Sequence, residues 1–501
     1  MAAARGRNHP RGTMMRLDPT AARRGLARIA RSALMSLLAG ACATPALAQH
    51  YQTDFPPAEF RARWEKLFDG IGDDAVAILQ GVPLARGFVM PRQTNAFYYL
   101  SGIETPHAYL LLDGRDRTVT LYMPPRNERL ERSEGKVLNA DDASLVRDLT
   151  GVDSVLSTDA MRTGFPPGLR RSTAIYTMFT PAEGQGQSRH ELELADAAIA
   201  DDPWDGRASR EGRLVQLLRQ RHSRNEVRDL TPIVDTLRSV KSEREVALIR
   251  RAAQLAGLGM MEAMRSTEPG VWEYQLDAAA RYVFLVNGAR QEAYRSITAA
   301  GTENINNGHY YRNDSQLLDG DLVLMDYAPD YHYYVSDIGR VWPVNGTYAP
   351  WQRELLQVIL EYHKVVLGLI RPGVTTDEIL AEAREAMAPI LERTKFSKPI
   401  YSRAAHTMVE TGGGVLSHPV GLAVHDDGPY RGGPLRPGHV FAVDPQLWVR
   451  EENLYLRYED TVVVTEDGVE NFTAFLPIEL DDIEALVREK GVVQQFPPDG
   501  R

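Results

Sequence analysis

Cysteine is almost absent from this chain of 501 residues, and that scarcity excludes two kinds of chemistry. The single cysteine, Cys42, lies in an N-terminal segment that we expect to be removed. A chain without cysteine forms no disulfide and has neither a thiol nucleophile nor a thiolate metal ligand. Any catalytic or metal-binding group must therefore offer oxygen or nitrogen atoms.

Long apolar runs are also lacking, even near the N-terminus. Residues 1–48 contain eight arginines and one acid, and their apolar run at 33–38 is too short to anchor the chain in a bilayer. The run leads to Ala-Leu-Ala at 46–48, which is typical of a signal-peptide cleavage site. We therefore expect 1–48 to be a signal peptide and the protein to be exported, either to the periplasm or outside the cell. The Arg-Arg pair at 23–24 leaves the twin-arginine route open.

Positive charge is in short supply after this segment. The formal net charge of the whole chain is −10, and without residues 1–48 it becomes about −17. Such a balance excludes nucleic acid and an anionic membrane surface as expected partners. Nucleotide-binding motifs are lacking too, because the glycine run 412–414 has no following Lys-Ser or Lys-Thr and no GxGxxG follows a predicted strand.

Two folded domains are predicted to follow the signal peptide. Residues 49–180 combine a helix at 61–68 with short apolar segments bounded by Gly, Pro or Asp, which indicates an α/β layer. These segments, expected as strands, are 75–79, 96–100, 109–112 and 119–123. The polar stretch 181–239 is expected to be a helical connector.

The second domain is predicted at 240–490, with a tail at 491–501. Ser242 and Glu245 have capping-box spacing at the start of a helix that runs to about residue 265, and Thr375 and Glu378 repeat this spacing. Two helices, a hairpin, two more helices and then strands indicate an α+β fold with helices backing an antiparallel sheet. The further helices are expected at 272–287 and 350–370, and the clearest late strands at 440–443 and 461–464.

Acidic residues stand at the ends of predicted apolar strands. The alternating segment 321–326 ends on Asp326, and a turn leads into a second strand that carries Asp337. If the strands pair as a hairpin, the two carboxylates face each other and repel unless a cation lies between them. Alternatively, Asp337 caps a turn or pairs with Arg340.

Two more acids and two histidines extend this pattern. Asp444 ends one apolar strand, and Glu459 precedes another. His418 and His425 lie seven residues apart in a glycine-rich loop, although a single histidine is more often a packed core residue. Acids beside hydrophobic strands are costly unless they are paired or coordinated. A metal centre shared by the four acids and His418 is therefore the economical hypothesis.

This set of residues resembles the five-ligand dinuclear centre of the pita-bread metallopeptidases, the aminopeptidase P and prolidase group. The proposed ligands are Asp326, Asp337, His418, Asp444 and Glu459. The segment 95–102, Asn-Ala-Phe-Tyr-Tyr-Leu-Ser-Gly, is similar to the N-terminal domain of aminopeptidase P. The resemblance covers about residues 51–473. It implies a C-terminal pita-bread domain preceded by a non-catalytic α/β domain that shapes the site and the oligomer.

The resemblance also implies an activity. It is that of a metal-dependent exopeptidase, an Xaa-Pro aminopeptidase, which hydrolyses the bond between an N-terminal residue and proline through a hydroxide bridging two divalent metals. Asp337 and Glu459 would bridge the ions. Manganese is the expected metal, with cobalt and zinc as alternatives. Proline-containing peptides are the expected partners, and a homodimer or homotetramer is the expected assembly.

Catalytic roles follow from the resemblance for three residues. His309 matches a histidine near the substrate, and His425 matches one that contacts the peptide and supports the tetrahedral intermediate. Arg457 matches a basic residue that hydrogen-bonds near the ligand carboxylates.

Three positions depart from the family pattern. Asp444 stands where the family has a glutamate that is also its favoured proton shuttle, Gly414 where it has a histidine, and Gly339 where it often has a threonine. A shorter acid moves a metal or a proton by ~1 Å, which is enough to lower the rate. An Xaa-Pro aminopeptidase is the favoured function, and a prolidase-like dipeptidase or an impaired peptide-binding homologue stays open. The five candidate ligands disfavour a creatinase-like hydrolase.

Overall fold

The computed structural model describes residues 51–84, 89–163, 167–184, 186 and 188–496. The predicted signal peptide at 1–48 lies outside these residues. The chain divides into two compact units. Within the described residues, the smaller unit comprises Tyr51 and Glu128–Val137, and it contains a short helix, Glu128–Glu134, in which Arg132 donates a hydrogen bond to Glu128. The larger unit comprises the rest of the described residues.

A mixed six-stranded sheet forms the first part of the larger unit, in the order β4-β3-β2-β1-β5-β6. The strands are β1 Ala75–Gln80, β2 Tyr109–Asp113, β3 Thr118–Met123, β4 Ser154–Ser157, β5 Ala174–Thr177 and β6 Glu226–Asp229. The helices of this part, numbered together with the Glu128–Glu134 helix as α3, are α1 Pro57–Ile71, α2 Asn95–Ser101, α4 Ala143–Thr150, α5 Pro167–Arg171, α6 Arg189–Asp201, α7 Arg210–Arg221 and α8 Thr231–Ser239. Helical turns of the 3-10 type span Ala140–Asp142 and Thr158–Thr163.

Two features of this part differ from expectation. The segment 96–100 was expected as a strand but lies in the helix α2. All residues of α2 are buried, so its sequence lacks the polar–apolar period that would separate a helix from a strand. Strand β6 was not predicted, and it pairs in parallel with β5 within the stretch expected to be a helical connector. The sheet therefore continues well past residue 180.

The second part combines long helices with short antiparallel sheets. Its helices are α9 Glu243–Arg265, α10 Glu273–Val286, α11 Gly301–Ile305, α12 Pro350–Leu369, α13 Thr376–Arg393, α14 Pro399–Thr411, α15 Leu480–Val487 and α16 Val492–Gln495. Its strands are β7 Gln291–Glu292, β8 Ile297–Ala300, β9 Leu322–Asp326, β10 Pro329–Asp330, β11 Gly339–Pro343, β12 Val440–Val443, β13 Gln446–Val449, β14 Leu454–Arg457, β15 Asp460–Val464 and β16 Val469–Asn471. A 3-10 turn spans Arg450–Glu452. The α+β class is confirmed.

Helix ends follow the predicted capping boxes. The hydroxyl of Ser242 accepts a hydrogen bond from the backbone N–H of Glu245, whose carboxylate accepts one from the N–H of Ser242 at 2.9 Å. Thr375 and Glu378 repeat this arrangement at α13. These reciprocal bonds satisfy backbone donors that the first helical turn leaves free. Helix α14 was not predicted.

A continuous apolar core lies between the helices and the sheets of the second part. Buried residues of α9, α10 and α12–α14 pack with those of β9, β11, β12 and β15. Within the described part of the chain, no helix is both long and apolar enough to cross a bilayer.

Candidate metal centre and active site

The antiparallel strands bring the predicted carboxylates to one place. Asp326 ends β9, and its register partner is Gly339 at the start of β11, so Asp337 lies two residues before the paired position. The expectation that the two acids face each other across a simple hairpin is therefore wrong, because β10 and a turn lengthen the connection between the paired strands. Their carboxylates still converge on one side chain: the hydroxyl of Tyr294 lies 2.7 Å from Asp326 Oδ1 and 2.8 Å from Asp337 Oδ1, and can donate to either.

Backbone pairing fixes Glu459 beside Asp337. Gly339 and Glu459 form a two-way bridge, with N···O distances of 3.1 and 2.9 Å. The hydroxyl of Thr461 donates to the carbonyl of Asp337 at 2.7 Å and accepts from its N–H at 2.8 Å. The alternative pairing of Asp337 with Arg340 is not formed, because Arg340 binds Asp460 at 2.6 Å.

His418 faces these acids from the loop before β12. Its carbonyl accepts a hydrogen bond from Ala442 at 3.1 Å, which ties the loop to β12. With its proton on Nδ1, 3.2 Å from the carbonyl of Pro419, the ring presents the Nε2 lone pair 3.4 Å from Asp337 Oδ2. Burial, and then the neighbouring His425 ring, lower the pKa of His418 well below its ordinary value. The imidazole is therefore neutral, the form that binds metals.

Arg457, at the end of β14, binds three of the four predicted acidic ligands. It donates to Asp444 Oδ1 and Oδ2 at 2.8 Å each, to Asp326 Oδ2 at 2.7 Å, and to Glu459. One guanidinium thus lies among four buried carboxylates. Burial raises the pKa of Asp337, and repulsion by Asp326 raises it further. Burial likewise raises the pKa of Glu459, although Arg457 opposes this shift. Burial also raises the pKa of Asp444, to about 6.

These residues fit divalent metal ions. One oxygen each of Asp326, Asp337 and Glu459 lie within 4.8 Å of one another, and so do single ligand atoms of Asp337, His418 and His425. Glu459 Oε1 is buried without a hydrogen-bond partner, which is costly unless a cation satisfies it. Carboxylate and imidazole ligands suit Mn²⁺ and similar ions. Asp444 belongs to neither group, and its carboxylate instead accepts hydrogen bonds from Arg457 and Gln446.

The predicted catalytic residues lie around a cavity of about 860 Å³ above the acids. His309, His425 and Arg457 line it with Asp326, Asp337, His418 and Asp444. His425 stacks at a tilt on His418, with ring centroids 4.1 Å apart, and burial lowers the pKa of His425. His309 is exposed at the cavity rim. Glu459, the eighth predicted site residue, accepts a hydrogen bond from Arg457 beneath the cavity. The structure therefore brings all eight predicted site residues together.

Among the polar residues that sequence reasoning missed, two contact the acids directly. Tyr294 precedes β8 and bridges two acids, and Gln446 opens β13 and donates to Asp444. Neither belongs to a pattern of charge or periodicity, so only the fold reveals them. The cavity also has an aromatic wall in which Trp448 and Tyr455 stack with centroids 4.1 Å apart.

A buried cluster of carboxylates with a histidine, beneath a cavity on an α+β fold, is the arrangement expected of a metallopeptidase site. Comparisons with known proteins agree. Residues 247–466 match the model of metallopeptidase family M24, and residues 60–176 match that of the aminopeptidase P N-terminal domain. The chain belongs to metallopeptidase family M24, which confirms the predicted family and enzyme class.

Its relatives point to one branch of the family. An Xaa-Pro aminopeptidase of Escherichia coli (strain K12) is 30% identical over 86% of this chain and 97% of that protein. The structure of Escherichia coli aminopeptidase P with the inhibitor Pro-Leu aligns with a TM-score of 0.71 at 27% identity, covering 87% of this chain and 99% of that one. Proline aminopeptidase P II from Yersinia pestis gives a TM-score of 0.69 at 29% identity, covering 86% and 99%.

Proposed function

We propose that this protein is an Xaa-Pro aminopeptidase, which removes the N-terminal residue from peptides whose second residue is proline. The observation that carries the proposal is the convergence of Asp326, Asp337, Glu459 and His418 beneath one cavity. The similarity to Xaa-Pro aminopeptidases over most of the chain supports the choice of substrate.

Divalent metal ions would be held by these ligands, with manganese proposed as the native metal and cobalt and zinc as its competitors. When bound, such ions supply Lewis-acid polarisation of the scissile carbonyl and activation of the attacking water. The protein's own groups prepare the site. Neutral His418 offers a lone pair, and Tyr294 and Arg457 hold the carboxylates in fixed orientations.

The cavity walls provide the substrate contacts. His309 and His425 line the cavity and can hydrogen-bond a peptide backbone, and His425 lies against His418. The wall formed by Trp448 and Tyr455 offers an apolar surface for a proline ring. Binding the peptide here would exclude water from the buried acids and strengthen their electrostatic interactions.

The test is hydrolysis of Arg-Pro-Pro and Gly-Pro by the metal-free protein, with and without added Mn²⁺. Metal-dependent release of arginine from the tripeptide is the expected result. Cleavage of Gly-Pro alone would make the protein a prolidase-like dipeptidase. Two bound metals per chain with no cleavage of either peptide would make it a peptide-binding homologue, with Asp444 and Gly414 as the marks of that change.

We also propose that the protein is exported to the periplasm or outside the cell, on the strength of the composition of residues 1–48. An N-terminus at Gln49, determined by mass spectrometry on the exported fraction, is the expected result.

Homo-oligomerisation is proposed from the large apolar side chains left exposed on α10, such as Tyr282 at 56% and Val286 at 60%. Sedimentation equilibrium tests it, and a monomer at all concentrations would contradict it.

A further inference from the structure

Gly414 and Gln446 occupy one small volume beside Asp444. Gly414 has φ +75°, in the left-handed region that favours glycine. A Cβ atom at this position would lie 2.3 Å from the backbone oxygen of Asp444 and 2.6 Å from both Cγ and Cδ of Gln446. A side chain at position 414 is therefore incompatible with the present conformation of Gln446.

Gln446 is held in place by hydrogen bonds of both its backbone and its side chain. Its backbone N–H donates to the carbonyl of Gly413 at 3.0 Å, and its register partner across the β13–β14 hairpin is Arg457. Its amide Nε2 donates to Oδ2 of Asp444. The Asp444 carboxylate is thus fixed by Arg457 on one side and by Gln446 on the other.

The two partners differ in charge, which gives them different consequences for a cation. Arg457 neutralises part of the negative charge, whereas an amide donor fixes the direction of a carboxylate and leaves its charge in place. Gln446 is half-buried and lines the same cavity as the acids. It can therefore orient Asp444 without weakening the attraction of the site for a positive ion.

We propose that Gln446 is a positioning residue that fixes the Asp444 carboxylate beside the metal centre, and that glycine at position 414 leaves free the volume that the Gln446 side chain fills. Gln446 and the two departures from the family pattern, at 414 and 444, form one arrangement. The inference rests on the proposed function, since it assigns a role within that site. Partners that orient metal-site ligands typically contribute 10–100-fold in metal affinity or activity.

The first test compares Gln446→Met, which keeps the length of the side chain and removes the donor, with Gln357→Met. Gln357 makes an exposed amide–carboxylate contact with Glu361 at 3.0 Å and serves as the matched control. Mn²⁺ affinity is measured by calorimetry on the metal-free protein, together with kcat and KM for Arg-Pro-Pro. We expect a 10–100-fold loss of Mn²⁺ affinity at one site and a similar fall in kcat for Gln446→Met, with KM changed less than about twofold. Unchanged Mn²⁺ affinity and kcat in a folded Gln446→Met protein would overturn the proposal.

The second test is a double-mutant cycle of Gly414→Ala and Gln446→Gly. The loss of Mn²⁺ affinity caused by Gly414→Ala should be smaller when residue 446 is glycine, because one of its two clashes is then gone. Part of the loss should remain, since the clash with the Asp444 carbonyl and the positive φ persist. Equal losses in both backgrounds would overturn the claim that the two positions form a unit.

Metal affinity separates this inference from the proposed function. If the wild type cleaves neither peptide, but Gln446→Met binds Mn²⁺ more weakly than the wild type, the peptidase is refuted and the role of Gln446 is upheld. If the wild type cleaves Arg-Pro-Pro and Gln446→Met has the same activity and Mn²⁺ affinity, the peptidase is upheld and the role of Gln446 is refuted.

Discussion

Two side chains, those of Arg457 and Tyr294, hold the buried acids of the site through hydrogen bonds. Four carboxylates are buried around Arg457, and the hydroxyl of Tyr294 lies between Asp326 and Asp337. The four acids could be predicted because each stands in or beside a predicted apolar strand, where an unpaired charge is costly. Tyr294 and Gln446 could not, because a single polar residue in a loop or at a strand start carries no such signal. Their roles depend on contacts between segments far apart in the sequence.

Tyr294→Phe should lower Mn²⁺ affinity and kcat by about 10–100-fold, because the two acids lose the group that orients them. Calorimetric titration with Mn²⁺ and steady-state hydrolysis of Arg-Pro-Pro measure the two effects. Tyr176→Phe, which removes a hydroxyl that contacts the exposed Arg228 at 3.4 Å, is the control and should behave like the wild type. A Tyr294→Phe protein with normal affinity and kcat would show that the hydroxyl does not orient the ligands.

Asp444→Glu should lower kcat by about 10–100-fold, although glutamate is the residue of the family pattern. Arg457 and Gln446 already contact the shorter acid, so a longer one must displace a partner and misplace its carboxylate by ~1 Å. Hydrolysis of Arg-Pro-Pro measures the effect, with the exposed Asp482→Glu as the control. A rate equal to or above that of the wild type would show that Asp444 is a handicap rather than part of an adapted pocket.

Secondary-structure elements differ in how well the sequence foretells them. Helix α9 could be predicted with its capping box, because an apolar face at three- and four-residue spacing leads from Ser242 to Arg265. Helix α2 was predicted as a strand since its buried residues carry no polar face, and only its packing decides the conformation. Helix α14 has apolar residues at helical spacing, from Tyr401 to Val409, and was still not predicted, whereas the short strand β6 depends on its partner β5.

Ser242→Ala should destabilise the protein more than Thr375→Ala, although both remove a helix-capping hydroxyl. Loss of a cap costs about 0.5–2 kcal/mol. The Ser242 hydroxyl also donates to Glu59 of α1 at 2.6 Å, a half-buried contact between distant segments, whereas the Thr375 hydroxyl donates at 2.9 Å to the exposed Glu378 of its own capping box. Chemical denaturation of the two variants measures the difference in the free energy of unfolding. Equal losses would show that the contact with Glu59 contributes nothing.

At the scale of the whole molecule, the first part of the larger unit supports the loop that carries His425. Arg92 forms a buried ion pair with Asp330 at 2.5 Å and donates to the carbonyl of Leu422 at 3.4 Å. Asn95 donates to the same carbonyl at 3.1 Å. This support could not be predicted, because the pairing residues are more than 200 positions apart and neither stands out in the sequence. The first part of the larger unit is thus coupled to the site, through Arg92 and α2, without contributing a predicted ligand.

Arg92→Met should cost about 3–5 kcal/mol of stability, because it leaves Asp330 buried without its partner. The exposed pair Arg115–Asp74, 2.8 Å apart, provides the matched control. Arg115→Met should cost less than about 1 kcal/mol, since solvent screens an exposed pair. Chemical denaturation measures both values, and similar losses in the two variants would contradict a special role for Arg92.

The most direct test of the metal centre is a calorimetric titration of the metal-free protein with Mn²⁺, beside Asp337→Ala and the exposed control Asp467→Ala. Asp337 belongs to both groups of converging ligand atoms, so we predict two Mn²⁺ per chain for the wild type and the control, and neither ion retained by Asp337→Ala. A folded wild-type protein that binds no Mn²⁺, or an Asp337→Ala protein that still binds two ions, would contradict the assignment of the metal centre.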